Sequence, residues 1–247
     1  MSAVLKIEVH ADAEAVSRRG ADWIAQAAGQ AIGQRDRCVM ALSGGRTPWR
    51  MLTILSAAPV DWTRVHLAQV DERVAPAGSP DRNLTHLRDA LLARAGLPTA
   101  QIHPMPVEDA DLAAASERYS RLLIELAGSP PILDLVQLGL GADGHTASLV
   151  PGDPALDVTA SDVAVTAPYD GRRRMTLTFP IINRARCILW LVTGEAKAEA
   201  VARLVQGDPS LPASRVGRKP ALLLTDRAAA ALLASQAEAH AQSLETP

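Results

Sequence analysis

Residues 132–148 have the sequence ILDLVQLGLGADGHTAS. The apolar first half is typical of a buried strand, and the glycines that follow indicate a tight turn. Asp143 and His145 lie at the end of this turn. Open α/β sheets bind their ligands at the carboxyl ends of the strands, so the motif puts a candidate acid–base pair at a ligand-binding edge. A lone histidine is more often structural, but this context favours a functional role for His145.

Apolar segments of strand length alternate with helical patterns along the chain. The predicted strands are 4–9, 38–42, 65–70, 132–138, 163–166, 175–179, 187–192 and 221–224. Helical spacing predicts helices over 16–31 and 109–127, and Asp226 is the expected N-cap of a closing Ala-rich helix. This order indicates an α/β fold with a mostly parallel, Rossmann-like sheet and helices on both faces. The strict alternation in 175–179 predicts a strand that is half exposed or near an edge.

The composition excludes several classes of protein. At 247 residues, 48% of them hydrophobic, the chain can form one large α/β domain or two small ones, and we expect one domain over residues 1–247. A net charge of -2 without a basic stripe argues against a nucleic-acid partner. Lys6 and Glu8 interrupt the apolar segment that a signal peptide needs, and no run reaches the ~18 apolar residues of a membrane span. Cys38 and Cys187 lie in apolar strand-like runs and lack metal-ligand spacing, so we expect reduced core thiols in a cytoplasmic protein. We also expect a monomer or a weak homodimer.

Two loops after predicted strands suit an anion. The segment Ser43-Gly44-Gly45-Arg46-Thr47 precedes a helix that starts near Pro48. Two glycines at a helix N-terminus let backbone N–H groups approach a phosphate, and Thr47 adds a hydroxyl, although an ordinary strand-to-helix turn fits equally well. Lys197 lies in the first turn of another helix, where the macrodipole disfavours a cation unless an anion is near. A surface lysine is the alternative there.

Charged residues also follow or precede two other strands. Asp71, Glu72 and Arg73 continue strand 65–70, and such a triplet on its own is more often a solvated turn. Arg73 can contact an oxyanion or a phosphate through two parallel hydrogen bonds, which lysine cannot do. Arg174 is a further candidate for an anion contact, but it ends a run of three arginines that could equally be a solvated loop.

Five segments occur in the order and spacing of the 6-phosphogluconolactonase family. They are LSGGRTP at 42–48, DER at 71–73, LGLGADGHTASL at 138–149, RMTLTFPIIN at 174–183 and GEAKA at 194–198. The resemblance covers nearly the whole chain, and GHTAS is its most specific part. The chain departs from the family with Asp81-Arg82-Asn83, where Ser-Asn is frequent, and with Leu223-Leu224-Thr225-Asp226, where Trp-x-x-Asp is frequent. The first departure affects the contacts of Asn83, and the second is expected to alter packing only.

The resemblance implies a fold related to glucosamine-6-phosphate deaminase and ribose-5-phosphate isomerase. It also implies hydrolysis of 6-phosphoglucono-δ-lactone in the oxidative pentose phosphate pathway, a reaction that requires no metal or organic cofactor. The catalytic residues would be His145 as base, Asp143 as its orienting partner or a contact to a sugar hydroxyl, and Arg73. The candidate substrate and phosphate contacts are Ser43, Gly44, Gly45, Thr47, Asp71, Arg174 and Lys197.

Two alternative functions share this fold. Glucosamine-6-phosphate deaminases follow Asp-Gly-His with a segment like Ile-Ala-Phe-Asn-Glu-Pro, whereas residues 146–151 here are TASLVP. Without that glutamate, ring opening would lack an acidic partner for the histidine. A sugar-phosphate-binding regulatory module would need a DNA-binding segment, and we expect none ahead of Val4.

Overall fold

A computed structural model describes residues 5–218 and 220–233. Its main sheet has seven parallel strands in the spatial order β1-β10-β9-β6-β2-β3-β5. These strands are β1 (Lys6–His10), β2 (Cys38–Leu42), β3 (Val65–Gln69), β5 (Ile102–His103), β6 (Leu135–Leu138), β9 (Ile188–Val192) and β10 (Ala221–Asp226). The predicted mostly parallel sheet is therefore confirmed.

Within residues 5–218, seven α-helices connect or follow the strands. They are α1 (Ala13–Arg35), α2 (Arg46–Leu55), α3 (Asn83–Leu87), α4 (Ala93–Ala95), α5 (Leu112–Ala127), α6 (Phe179–Arg184) and α7 (Ala198–Gln206). Carboxylates cap two of the long helices, as their sequences require. Asp12 accepts a hydrogen bond from Ala15 N at the start of α1, and Asp111 caps α5.

Helices cover both faces of the main sheet, which explains the continuous apolar runs of its strands. Successive residues of β2 point to opposite faces, so Cys38 and Met40 join one core cluster while Val39 and Ala41 join the other. Helices α1 and α2 cover the first cluster, and α5 and α7 cover the second. The described residues contain no helix that is both long and apolar enough to cross a membrane.

A second, smaller sheet contradicts one prediction. Strands β4 (Asp71–Arg73), β8 (Arg174–Leu177) and β7 (Val163–Val165) form an antiparallel sheet with β8 in the middle. The strand expected to be half exposed or at an edge is therefore central, and all four of its residues are buried. The expectation is wrong because the polar side chain in the alternating pattern is hydrogen-bonded inside the protein: Thr176 Oγ1 accepts from Ser148 N and donates to Leu177 O.

Three further predictions concern single segments. The charged triplet 71–73 is strand β4 and not a solvated turn. Asp226 behaves as an N-cap, since its carboxylate accepts a hydrogen bond from Ala229 N. The Ala-rich segment after residue 233 lies outside the described residues, as does Val4, the first residue of the predicted strand 4–9. Both cysteines are free thiols, and burial, reinforced by the charge of Asp134, raises the pKa of Cys187 to about 11.

Candidate active site

A cleft of about 670 Å³ lies at the carboxyl edge of the main sheet. The loops after β2, β6 and β9 form one part of its wall, and strands β4 and β8 of the small sheet form another. Nine of the residues predicted for the site line it: Ser43, Gly44, Gly45, Thr47, Asp71, Arg73, His145, Arg174 and Lys197. The tenth, Asp143, is in hydrogen-bond contact with His145.

His145 and Asp143 form a hydrogen-bonded pair at this cleft. The distance from His145 Nδ1 to Asp143 Oδ1 is 2.6 Å, and the backbone N–H of His145 donates to the same oxygen over 3.2 Å. Burial raises the pKa of Asp143, but the charge of His145 and hydrogen bonds from His145 and Tyr169 outweigh it, so the net pKa is lowered. Asp143 is therefore held as a carboxylate, and among the described residues Nε2 of His145 has no hydrogen-bond partner.

Gly141 makes room for the pair. A Cβ on Gly141 would lie 2.2 Å from His145 Nδ1 and 2.3 Å from Asp143 Oδ1. No side chain fits at those distances, because real Cβ contacts are longer than 3.0 Å. The backbone of Gly141 also donates to the carbonyl oxygen of His145 over 2.8 Å. The glycine-rich turn thus serves close approach as well as chain reversal.

Two arginines face each other across the small sheet. Arg73 on β4 and Arg174 on β8 are directly opposite in the antiparallel register, and both line the cleft. Like charges in this arrangement are destabilising unless an anion lies between or beside them. Asp71 on β4 also lines the cleft, and burial raises its pKa although a 2.6 Å hydrogen bond from Ser148 opposes this. The Nε of Arg174 is buried without a hydrogen-bond partner.

The buried carboxylate of Glu72 holds the segment Asp81-Arg82-Asn83, which departs from the family pattern. This group accepts hydrogen bonds from the backbone N–H groups of Arg73, Asn83 and Leu84, each over 2.8 Å. Arg82 is 3% exposed and pairs with Glu72 and Glu108, so it does not line the cleft. Asn83 does line it, and its Oδ1 accepts from Arg73 Nη1 over 3.2 Å. Asn83 therefore positions Arg73.

The other wall combines a helix N-terminus with basic side chains. Gly45 precedes helix α2 with a φ of 127°, a conformation that favours glycine, and Gly44 approaches Asn83 so closely that a Cβ would lie 2.1 Å from Oδ1. Arg46 is exposed at this end and has no ionic or hydrogen-bond partner among the described residues. Burial lowers the pKa of Lys197, with Arg46 adding to the effect and Asp143 opposing it.

Sequence reasoning missed three residues of this region. Thr193 lines the cleft and its hydroxyl lies 2.6 Å from that of Thr47, so it joins two loops. Its position directly after strand 187–192 is the signal that could have found it. Arg46 was unassigned within the SGGRTP motif. Tyr169 contacts Asp143 and precedes Asp-Gly, a dipeptide typical of a hairpin turn.

The described residues contain no group of three or more His, Cys, Asp or Glu side chains arranged to hold a metal ion. The cleft instead combines one acid–base pair with an excess of cationic groups. Such a site can bind a small anionic molecule and move a proton at one end of it.

Comparison with known proteins agrees with this chemistry. Residues 11–224 match the family of glucosamine-6-phosphate isomerases/6-phosphogluconolactonase. The chain is 40% identical over 243 residues to the 6-phosphogluconolactonase of Mycobacterium tuberculosis, which covers 93% of this chain and 98% of that protein. The structure of 6-phosphogluconolactonase from Trypanosoma brucei is similar with a TM-score of 0.81 at 27% identity, covering 94% of this chain and all of that one.

A monomeric glucosamine-6-phosphate deaminase shares the fold, with a TM-score of 0.79 at 22% identity over 92% of this chain and 100% of that one. The family match spans most of the chain and every loop that lines the cleft. The chain therefore belongs to the glucosamine-6-phosphate isomerase/6-phosphogluconolactonase family.

Proposed function

We propose that this protein hydrolyses 6-phospho-D-glucono-1,5-lactone to 6-phospho-D-gluconate, the second step of the oxidative pentose phosphate pathway. The observation that carries the proposal is the His145–Asp143 pair, joined over 2.6 Å, at the same cleft as Arg73, Arg174 and Lys197. A phosphorylated lactone needs both a base at its carbonyl end and cations at its phosphate end. The 40% identity to a 6-phosphogluconolactonase supports the same substrate.

His145 acts as the general base. Its Nδ1 is engaged by Asp143, so Nε2 takes a proton from water while the water oxygen bonds to the carbonyl carbon C1. The carbonyl oxygen becomes an oxyanion. When the bond between C1 and the ring oxygen breaks, His145 returns its proton to that leaving oxygen. Asp143 stays ionised and stabilises the transient imidazolium, in agreement with its lowered pKa.

The arginines of the small sheet stabilise negative charge. We assign Arg73 to the oxyanion, because its guanidinium can donate two parallel hydrogen bonds. Asn83 fixes this group by accepting a hydrogen bond from Nη1. Arg174 is a second anion contact directly opposite on β8. Asp71, buried and hydrogen-bonded to Ser148, is suited to accept a hydrogen bond from a sugar hydroxyl.

The phosphate occupies the other wall of the cleft. Backbone N–H groups of Gly44 and Gly45, the hydroxyl of Thr47 and the ammonium of Lys197 form its cradle, and Ser43 lies at the start of this loop. Arg46, which has no partner in the described part of the chain, adds a cation at the same place. No cofactor or metal has a role in this scheme.

A coupled assay tests the proposal. Purified protein should accelerate hydrolysis of 6-phosphogluconolactone, followed as 6-phosphogluconate by an NADP-dependent dehydrogenase at mildly acidic pH, where spontaneous opening is slow. His145→Ala should lower kcat by about 10²–10⁴ with little change in ligand binding, because it removes the base but no phosphate contact.

The same preparation should release no ammonia from glucosamine 6-phosphate. Ammonia release faster than lactone hydrolysis would replace the lactonase with a deaminase. Near-normal turnover by His145→Ala, after subtraction of the spontaneous rate, would remove this histidine from the mechanism.

A further inference from the structure

A tight hairpin turn presents Tyr169 to the acid–base pair. Tyr169 and Arg172 exchange two backbone hydrogen bonds, of 2.9 and 3.2 Å, around the central residues Asp170 and Gly171. Both central residues have positive φ, 50° and 74°, which is the geometry of a type I′ turn. This turn type matches the twist of antiparallel strands and has little freedom. Tyr169 is therefore fixed by the hairpin that connects β7 to β8.

The side chain of Tyr169 contacts three groups of the proposed site. Its hydroxyl donates to Asp143 Oδ2 over 3.2 Å, while Asp143 Oδ1 is occupied by His145. The ring meets the His145 ring edge to face, with centroids 5.7 Å apart and an interplanar angle of 68°. The guanidinium carbon of Arg174 lies 4.9 Å from the ring centroid, within range of a cation–π interaction.

The hairpin is also tied to the strand that carries Arg73. Arg172 forms an ion pair with the Asp81 side chain, and the backbone carbonyl of Asp81 accepts a hydrogen bond from Arg73 Nη1 over 2.9 Å. The turn thus connects Asp143 and Arg174 on one side with Arg73 on the other. A shift of Tyr169 would change the orientation of the Asp143 carboxylate and of the guanidinium groups of Arg73 and Arg174.

We infer that Tyr169 is a positioning residue: its hydroxyl fixes the Asp143 carboxylate that orients His145, and its ring fixes Arg174. This inference rests on the proposed lactone hydrolysis. Burial and the charge of Asp143 raise the pKa of Tyr169, so the hydroxyl remains a donor at neutral pH. The other charges that act on Asp143 are those of His145 and Lys197, and Asp170 and Arg174 act on Tyr169.

Two substitutions separate the roles of the hydroxyl and the ring. Tyr169→Phe should lower kcat by about 3–10-fold with KM nearly unchanged. This is less than the loss of a direct charged contact to the substrate, because the hydroxyl acts on the reaction only through Asp143 and His145. The acid limb of the pH profile of kcat should move to higher pH, because the Asp143 carboxylate loses the donor that stabilises its charge. Tyr169→Leu should in addition raise KM several-fold, since Arg174 loses its aromatic partner.

Tyr119→Phe is the matched control. Tyr119 lies on the buried face of α5, where its hydroxyl donates to His103 O and accepts from Gln69 N. Removing that hydroxyl should lower thermal stability but leave kcat, KM and the pH profile unchanged. All variants are compared as full-length protein after circular dichroism has confirmed that they are folded.

The outcomes distinguish this inference from the function on which it rests. An active wild-type enzyme whose kcat and pH profile are the same in Tyr169→Phe would show that Tyr169 positions nothing. An inactive wild-type protein would instead overturn the proposed lactone hydrolysis. A lower kcat with a shifted acid limb in Tyr169→Phe, absent from Tyr119→Phe, supports the inference.

Discussion

At the scale of single residues, the absence of one side chain decides whether the acid–base pair can form. Gly141→Ala would place a methyl group 2.2 Å from His145 Nδ1 and 2.3 Å from Asp143 Oδ1, so the imidazole ring, the carboxylate or both must move. A displacement of about 1 Å at a reacting group costs roughly 10² in rate. We expect kcat to fall by about 10²-fold or more, measured with the coupled lactone assay.

Gly33→Ala in α1 provides a control away from the cleft. A Cβ there meets nothing within 4 Å, Gly33 is not among the glycines with positive φ, and it does not line the cleft. This variant should retain the wild-type kcat. Equal activity losses at the two glycines would show that the close approach of Gly141 to the pair is not the cause.

At the scale of elements, the edge of the main sheet contains a histidine pair with no part in the cleft. His66 on β3 and His103 on β5 approach over 3.1 Å between Nδ1 and Nε2, with their rings stacked. Burial, and then the charge of His66, lower the pKa of His103 from 6.5 to about 4. The folded protein therefore holds His103 neutral in a range of pH where the unfolded chain binds a proton.

This depressed pKa predicts a pH-dependent stability. The contribution of His103 is present above pH 6.5 and is lost as the pH falls towards about 4, because the unfolded state binds more protons in this range. The ring is partly exposed, so we expect a loss of only about 1–2 kcal/mol over this interval. His103→Gln should remove that part of the slope, measured by urea unfolding at pH 7, 5.5 and 4.5.

Val65→Ala on β3 is the control for this measurement. It removes buried methyl groups without changing a titratable group, so its loss of stability should be the same at each pH. A wild-type protein and a His103→Gln variant with parallel pH dependence would contradict the role of the histidine pair.

At the scale of the whole molecule, the cleft exists because two sheets meet. The main sheet contributes the loops with Gly44, His145 and Lys197, and the small sheet contributes Arg73 and Arg174. In the proposed binding mode the phosphate lies against Gly44 and Lys197, and its binding energy positions the lactone carbonyl at His145. Loss of the phosphate contacts therefore affects turnover as well as affinity. Glucono-δ-lactone without phosphate should accordingly be hydrolysed less efficiently by orders of magnitude.

Lys197→Ala should weaken the phosphorylated substrate much more than the plain lactone. One charge-assisted hydrogen bond contributes about 1.5–3 kcal/mol, so kcat/KM for the phosphorylated lactone should fall by roughly 10–100-fold. Lys6→Ala is the matched control, because Lys6 pairs with Glu8 and does not line the cleft. Similar efficiency on both lactones, or an equal penalty of Lys197→Ala on both, would exclude a phosphate at this wall.

The prediction of the fold from sequence depended on local patterns, and these located six of the seven strands of the main sheet. They missed β5, whose two residues are too few to show a pattern. Apolar runs such as 38–42 and 187–192 are strands because helices cover both of their faces, and that requirement is visible in the residues themselves. The pattern in 175–179 led to a wrong prediction for a different reason. Alternation reports polar side chains but not whether they are hydrogen-bonded inside the protein, as Thr176 is.

The sequence by itself determined which loops end at the binding edge, because parallel strands bring their carboxyl ends together. It also placed Asp143 two residues from His145, where it could orient the imidazole or hold a sugar hydroxyl, and the structure shows the hydrogen bond between the two side chains. Only the tertiary structure decided that Arg73 faces Arg174, that Ser148 donates to Asp71 across 77 positions, and that Tyr169 reaches Asp143 across 26. Strand order and register set such contacts, and they follow from the packing of the whole chain, which no local pattern of residues encodes.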